Sequence, residues 1–279
     1  MPVIIKTVTS KSDFKVFARF ANRLYKGNKF YVPSMPFDDL NTFDKEKNGA
    51  YEFSEAEFYL AYKDGKVAGR VAAIINHKAN EAWKVKQVRF GWIDFIDDIQ
   101  VSTALLDAVT AFGKAHGMNQ VVGPLGFTDF DPEGMLVEGF DRLSTMALIY
   151  NHPYYPEHMK KHGYVKETGW VEYRITIPDE LPERHVKLAE LVKERYELKV
   201  VKKTKRQIRK EKYGQKLFQL INETYCVLYG YSLLSPKQID QYVDVYLSLV
   251  DMKMLTFVED KEGNLIAAGI SIPSLSEAL

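Results

Sequence analysis

The feature that most constrains this chain is a hairpin followed by a crossover. Phe58-Tyr59-Leu60-Ala61-Tyr62 is an apolar run, Asp64-Gly65 is a turn pair, and Val67 to Asn76 is a second apolar run. Asp-Gly tolerates the positive φ that a tight hairpin turn demands, so the two runs are read as antiparallel neighbours. Phe90 to Ile96 then reads as a further strand, and Asp97-Asp98 lead into a helix from about Gln100 to His116. Ala104, Leu105, Ala108, Val109 and Phe112 give that helix one apolar stripe, and Gly117 stands where a C-terminal glycine belongs. Gln120 to Gly123 is the strand after it. Hairpin strands joined to a strand-helix-strand crossover require a mixed sheet, so the fold class is α/β.

Upstream, Val3 to Val8 is β-branched and reads as a strand. Phe14, Val16, Phe17, Phe20, Ala21 and Leu24 give helical spacing up to Lys26, and Gly27 closes that helix. Tyr31 to Pro36 is extended, because proline disfavours helix in the residue before it. A short acidic helix is expected over Asp38 to Lys45. Downstream, a helix from Pro156 to His162 and a strand from Trp170 to Ile177 complete a first domain, residues 1–177. Pro178-Asp179-Glu180-Leu181-Pro182 opens a linker and connecting helix, 178–197.

From 198 to 279 the same programme begins again: a strand at Leu198 to Val201, helices at Arg206 to Leu228 and Pro236 to Val250, and a second hairpin at Met254 to Pro273. FYLAYKDGKVAGRVAAII and LTFVEDKEGNLIAAGISI share few residues but the same element order. The second copy stops after its hairpin at Leu279, so a truncated chain is expected.

Composition narrows the class. A net charge of +1 gives no global pull toward nucleic acid or anionic membrane. One cysteine, Cys226, excludes an internal disulfide framework and fits a reducing compartment. The opening MPVIIKTVTSKSDF is not a signal peptide, and no apolar run is long enough to span a bilayer. A cytoplasmic protein is expected.

The late element Tyr155-Pro156-Glu157-His158-Met159-Lys160-Lys161-His162-Gly163-Tyr164 is a helix ending in glycine and an aromatic. Together with Phe90-Gly91-Trp92-Ile93-Asp94-Phe95-Ile96 and the helix after Asp98, it resembles the GNAT superfamily of N-acyltransferases. The resemblance extends over nearly the whole chain, and GPLGFTDFDPEGMLVEGFD and YNHPYYP look like a bacterial branch of that superfamily. It implies a GNAT-like domain followed by a partial second one. It also implies transfer of an acyl group from acetyl-CoA or a longer acyl-CoA to a primary amine of a small molecule or amino acid, without a metal. The pantetheine would lie on a bulged strand at Phe95 and Ile96, and the pyrophosphate on Asp98, Ile99, Gln100, Val101 and Ser102. Two departures stand out. Counting back from Leu105-Leu106, Gln100 and Ser102 occupy positions where the family carries glycine or alanine, with Ser102 offering a hydroxyl instead. Met159 stands four residues before the Gly-aromatic pair, where many members have the tyrosine that protonates the thiolate; Tyr155, one turn earlier on about the same face, is either its substitute or, like Tyr154 beside it, a packing ring.

N-acyl transfer needs a base for the amine, an oxyanion donor and an acid for the thiolate. The backbone N–H groups around Phe95 and Ile96 would supply the donor. Asp94, Glu138 and Asp141 are candidate bases, with Glu138 preferred because it stands among apolar residues; strand alternation is expected to turn Asp94 to solvent. His152 is suited to neutral pH, although a turn histidine beside proline is commonly structural. His158 and His162 have i, i+4 metal spacing, but with Lys160 and Lys161 between them an exposed helix face is expected. Lys202, Lys203, Lys205, Arg206, Arg209, Lys210 and Lys212 form a basic run, either a solvated face or a dock for an acidic partner such as an acyl carrier protein. The absence of interleaved aromatics argues against nucleic acid. A non-catalytic binding module that kept the fold is the alternative from another class.

Overall fold

The computed structural model describes residues 2–274 and 276, with backbone alone at 248 and 249. The chain end at Leu279, where truncation is expected, lies outside them. The chain divides into two compact units, one built on the residues up to Gly169 with Tyr229–Ser232, the other on Trp170–Leu228 and Leu233–Pro273.

In the first unit, β1 (Ile4–Thr7), α1 (Lys11–Leu24), α2 (Pro36–Phe43), β2 (Ser54–Lys63) and β3 (Lys66–Asn76) follow in the order read from sequence. A short helix absent from that reading, α3 (His77–Trp83), is capped by Asn76, whose side chain accepts from the Ala79 N–H. Then come β4 (Gln87–Phe95), α4 (Ile99–Ala115), β5 (Gln120–Val122) and α5 (Tyr154–Lys161). The sheet runs β1-β2-β3-β4-β5, antiparallel except for the parallel β4–β5 pair. Asp64 and Gly65 both have positive φ, as the hairpin turn requires.

Both faces of the sheet are covered, which is why β3 reads as an apolar run broken only by Arg70 between its terminal residues. Tyr59, Val71, Ala73 and Phe95 pack with Leu105, Val109 and Tyr155 on one face. Phe58, Leu60, Ala72, Ile74 and Trp92 pack with Phe17 and Phe43 on the other. Strand alternation divides the residues between the two cores.

Two features of β4 set up the site. Arg70 pairs with Asp94 and Ala72 with Gly91, so Val71 alone faces Trp92 and Ile93. This is a β-bulge, and Trp92 carries its strain at φ 46. Moreover, β5 pairs with β4 only from Gln87 to Arg89, so the far end of β4 has a free edge.

The second unit has α6 (Glu183–Arg195), β6 (Lys199–Val201), α7 (Lys205–Lys210), α8 (Tyr213–Tyr225), α9 (Pro236–Leu249), β7 (Leu255–Glu259) and β8 (Leu265–Ile270). Its sheet, β6-β7-β8, is antiparallel and repeats the β1-β2-β3 arrangement. The helix expected over Arg206 to Leu228 is two helices, because Lys212 adopts a left-handed conformation between them. The strand expected at Trp170 to Ile177 is absent: this segment makes no ladder among the described residues, and Val171, Tyr173, Ile175 and Ile177 are exposed. An alternating pattern marks β potential, but a strand needs a partner edge.

Candidate active site

The free edge of β4 is where the two faces of the sheet meet, and α5 lies along it. The Tyr155 ring stacks on Phe95 with centroids 4.2 Å apart. Its hydroxyl accepts from the Phe95 N–H at 3.0 Å and lies 3.3 Å from Asp94 Oδ1. Tyr154 donates its hydroxyl to the Phe95 carbonyl at 2.6 Å. From the opposite face, α1 ends at Tyr25, whose hydroxyl is 2.8 Å from that of Tyr155 and 3.1 Å from Asp94 Oδ1.

Asp94 therefore does not face solvent. It is 7% exposed and paired with Arg70, because the bulge returns it to the covered α1 face. Arg70 also donates to the Phe17 carbonyl at 2.8 Å. Burial first, and then the Asp94 charge, hold the Tyr155 phenol well above its ordinary range, so it keeps its proton. Tyr25 is shifted the same way for the same leading reason.

Around this cluster stand Tyr31, 4.5 Å from the Tyr25 ring, and His152, whose ring lies 4.8 Å from Tyr25 and 5.3 Å from Tyr154. Burial lowers the His152 pKa below 6.5, so its imidazole is neutral at physiological pH. Asp39, accepting from the Ser34 hydroxyl at 3.1 Å, is raised by burial, an effect that Arg70 opposes.

Three of the residues named from sequence, Tyr155, Asp94 and Phe95, thus come together. Glu138 does not join them: it and Asp141 are exposed on the long 123–153 segment. Apolar flanks pointed to burial, but this stretch is a loop without strand or helix, so the flanks fix nothing. The Ile96 N–H is given to the Ala68 carbonyl at 2.9 Å. At the start of α4 three N–H groups are already taken: the Asp98 side chain caps the Gln100 N–H at 2.9 Å, and its carbonyl takes the Val101 and Ser102 N–H groups. Lys63 pairs with Asp98 and, first among the causes, lowers its pKa.

Ser102 is not a phosphate-facing hydroxyl. It is 0% exposed and bonds to His158 and His162. His158 is accordingly buried, against the exposed helix face expected; the basic Lys160 and Lys161 take the outer side. Among the described residues no group of three or more His, Cys, Asp or Glu is placed to hold a metal, and no helix is long and apolar enough to cross a membrane. Sequence reasoning missed Tyr25 and Arg70. The signal for Arg70 was a lone cation in an apolar strand, matched by a lone carboxylate, Asp94, in the next.

In unit two the basic run is partly used internally. Lys202 donates to the carbonyls of Lys253 and Leu255 at 3.0 Å, and Lys203 pairs with Glu211. Lys205, Arg206, Arg209, Lys210 and Lys212 are exposed.

No family model matches the chain. It is 31% identical over 163 residues to Protein YghO of Escherichia coli (strain K12), covering 58% of this chain and 42% of that protein, so the match spans less than half of YghO. It is 21% identical over 284 residues to Bacterial ceramide synthase of Caulobacter vibrioides (strain NA1000 / CB15N), covering 98% of this chain and 70% of that protein. Among solved structures, a predicted acetyltransferase of Clostridium acetobutylicum with acetyl-CoA matches 62% of this chain and 96% of its own at 11% identity and TM-score 0.38. Glucosamine-6-phosphate N-acetyltransferase of Arabidopsis thaliana matches 63% of this chain and 100% of its own at 11% identity and TM-score 0.37. Both scores lie below 0.5, so the description of the fold rests on the strand order, the bulge and the free edge of β4.

Proposed function

We propose that the first unit is an N-acyltransferase that moves an acyl group from a CoA thioester to an amine at the free edge of β4. The observation that carries this reading is the Tyr155 hydroxyl resting on the Phe95 N–H. A neutral acid and a backbone donor converge there beside a strained bulge, and thioester aminolysis needs both at one carbon atom. The amine nitrogen attacks the thioester carbonyl while His152 takes its proton. The Phe95 N–H leaves the Tyr155 oxygen to stabilise the oxyanion. The C–S bond then breaks, and Tyr155 gives its proton to the departing sulfur. Tyr25 and Asp94 keep the Tyr155 oxygen in place and offer a route by which it regains the proton.

The alignment with a bacterial ceramide synthase favours an acceptor amine on a long alkyl chain, since a ceramide is the amide of such an amine. A second reading concerns the donor. The Asp98 carboxylate, closing the α4 N-terminus, repels a pyrophosphate. An acyl carrier protein docking on Arg206 and Arg209 would bring the thioester with no pyrophosphate at that turn.

The test is thermal stability with acetyl-CoA, longer acyl-CoAs and free CoA, followed by mass spectrometry of amide products from short- and long-chain amines. A ligand of the native state raises the transition with concentration. No shift at millimolar ligand sinks the CoA donor. The carrier-protein reading then needs binding that Arg206→Glu with Arg209→Glu abolishes. Loss of both donors leaves a non-catalytic binding module.

A further inference from the structure

Along α5 and its C-cap, Tyr155, His158 and His162 stand at three- and four-residue spacing, which places them on one face, with Tyr154 next to Tyr155. The first two hold the backbone of Phe95. The other two hold Ser102, in the first turns of α4: Oγ lies 2.9 Å from His158 Nδ1 and 2.8 Å from His162 Nε2, with the Ile99 carbonyl at 3.1 Å. On its far side, His158 Nε2 is 3.0 Å from Asp97 Oδ1. Asp97 lies in the turn that joins β4 to α4, and Ser102 in the first turn of α4.

Serine, histidine and aspartate in this sequence suggest an activated nucleophile. The contacts give it another role: the Ser102 hydroxyl is held by His158, His162 and the Ile99 carbonyl, where α4 and α5 meet. We propose instead that His158 is a positioning residue. It clasps α5 to the β4–α4 turn and so keeps the Tyr155 hydroxyl on the Phe95 N–H. The role rests on the reading of Tyr155 as the acid.

Protonated at Nε2, His158 donates to Asp97 and accepts the Ser102 proton at Nδ1. His162, whose pKa is lowered first by burial, donates from Nε2 to Ser102.

The experiment is amide hydrogen exchange at Phe95 in the full chain, with transfer kinetics alongside. Tyr155→Phe removes the acceptor of that N–H, so exchange at Phe95 rises about tenfold or more while β2 and β3 amides hold. His158→Ala is expected to reproduce this rise. Ser102→Ala, a smaller change, does the same should His158→Ala fail to fold, and the Tyr155→Phe/His158→Ala double variant adds nothing further. His158→Asn, whose amide takes the place of Nδ1 toward Ser102, recovers part of the protection. In kinetics, His158→Ala lowers kcat with the donor KM held within about twofold, since the binding contacts are untouched. Phe95 exchange unchanged in both His158→Ala and Ser102→Ala overturns the proposal. Full transfer by Tyr155→Phe instead removes the acid assignment, while the exchange data still judge the clasp.

Discussion

Arg70 approaches Asp94 with two nitrogens, Nε and Nη2, each 2.8 Å from the single oxygen Oδ2. Oδ1 is thereby left to Tyr25 and Tyr155. The guanidinium neutralises the carboxylate without competing for the side that faces the tyrosines. Both partners are buried, at 4% and 7% exposed, so removing one strands the other's charge. Arg70→Met is expected to lower stability by about 3–5 kcal/mol, measured by urea unfolding. A loss below about 1 kcal/mol would show that water or another cation replaces it.

Tyr155→Phe separates two effects. The buried Phe95 N–H loses its acceptor, which costs about 1–3 kcal/mol of stability. Loss of a general acid lowers kcat by about 10²–10⁴-fold. Steady-state kinetics with one acyl-CoA and one amine read the second effect. Tyr25→Phe, which leaves the acid in place, is expected to do much less.

The fold was legible where local chemistry decides it. Asp64-Gly65 could only be a turn, and the stripe from Leu105 to Phe112 could only face a core. The hairpin of β7 and β8 was visible for the same reason. What failed depended on partners distant in sequence. Trp170 to Ile177 has strand periodicity, yet it forms no ladder among the described residues. Lys212, an ordinary helix former, stands in the left-handed conformation between α7 and α8, which its own propensity does not foretell. The meeting of Tyr155 with Phe95 was legible from their places in the motif. The burial of Asp94 was not, since a bulge at Trp92 and Ile93 shifts the alternation that sequence reasoning counts on. Ser102 was misread because its partners lie some sixty residues away on α5.

Asp129, Asp131 and Glu133 crowd near the buried Arg89, which donates to the Gly126 and Gly230 carbonyls. Burial raises their pKa values to about 6, about 7 and about 7. Their folded values exceed the ordinary 3.8 and 4.5, so the native state binds more protons than the unfolded chain between these limits. Stability is therefore expected to fall as pH rises from about 4 to about 7, and to level off above that. Urea midpoints across this range measure it. Asp131→Asn, which removes one titrating group, should flatten the slope; a slope that stays the same would exonerate the cluster.

Gly91 makes room for the segment after β5. A Cβ there would lie 2.5 Å from the Leu125 carbonyl oxygen, a backbone atom that cannot swing aside. Gly91→Ala should push that segment off β4 and break the 2.9 Å bond from the Leu125 N–H to the Phe90 carbonyl. A loss of about 1–3 kcal/mol is expected. Faster exchange at the Leu125 amide would locate it. Full stability with a protected Leu125 would mean that the strand edge and the segment are less tightly apposed.

His152 determines how transfer responds to pH. Burial disfavours its charged form, so the base is available to a pH below the ordinary 6.5. The acid limb of kcat/KM is expected to have its midpoint below that value, and His152→Ala should lower the rate and abolish the limb. Asp39 competes for the assignment, because burial raises its pKa toward the same range from below. The two are separated by substitution: a limb that survives His152→Ala but disappears in Asp39→Asn gives the base to the carboxylate. That result would also explain why a carboxylate is kept beside Arg70 and Asp94, where another negative charge is otherwise unfavourable.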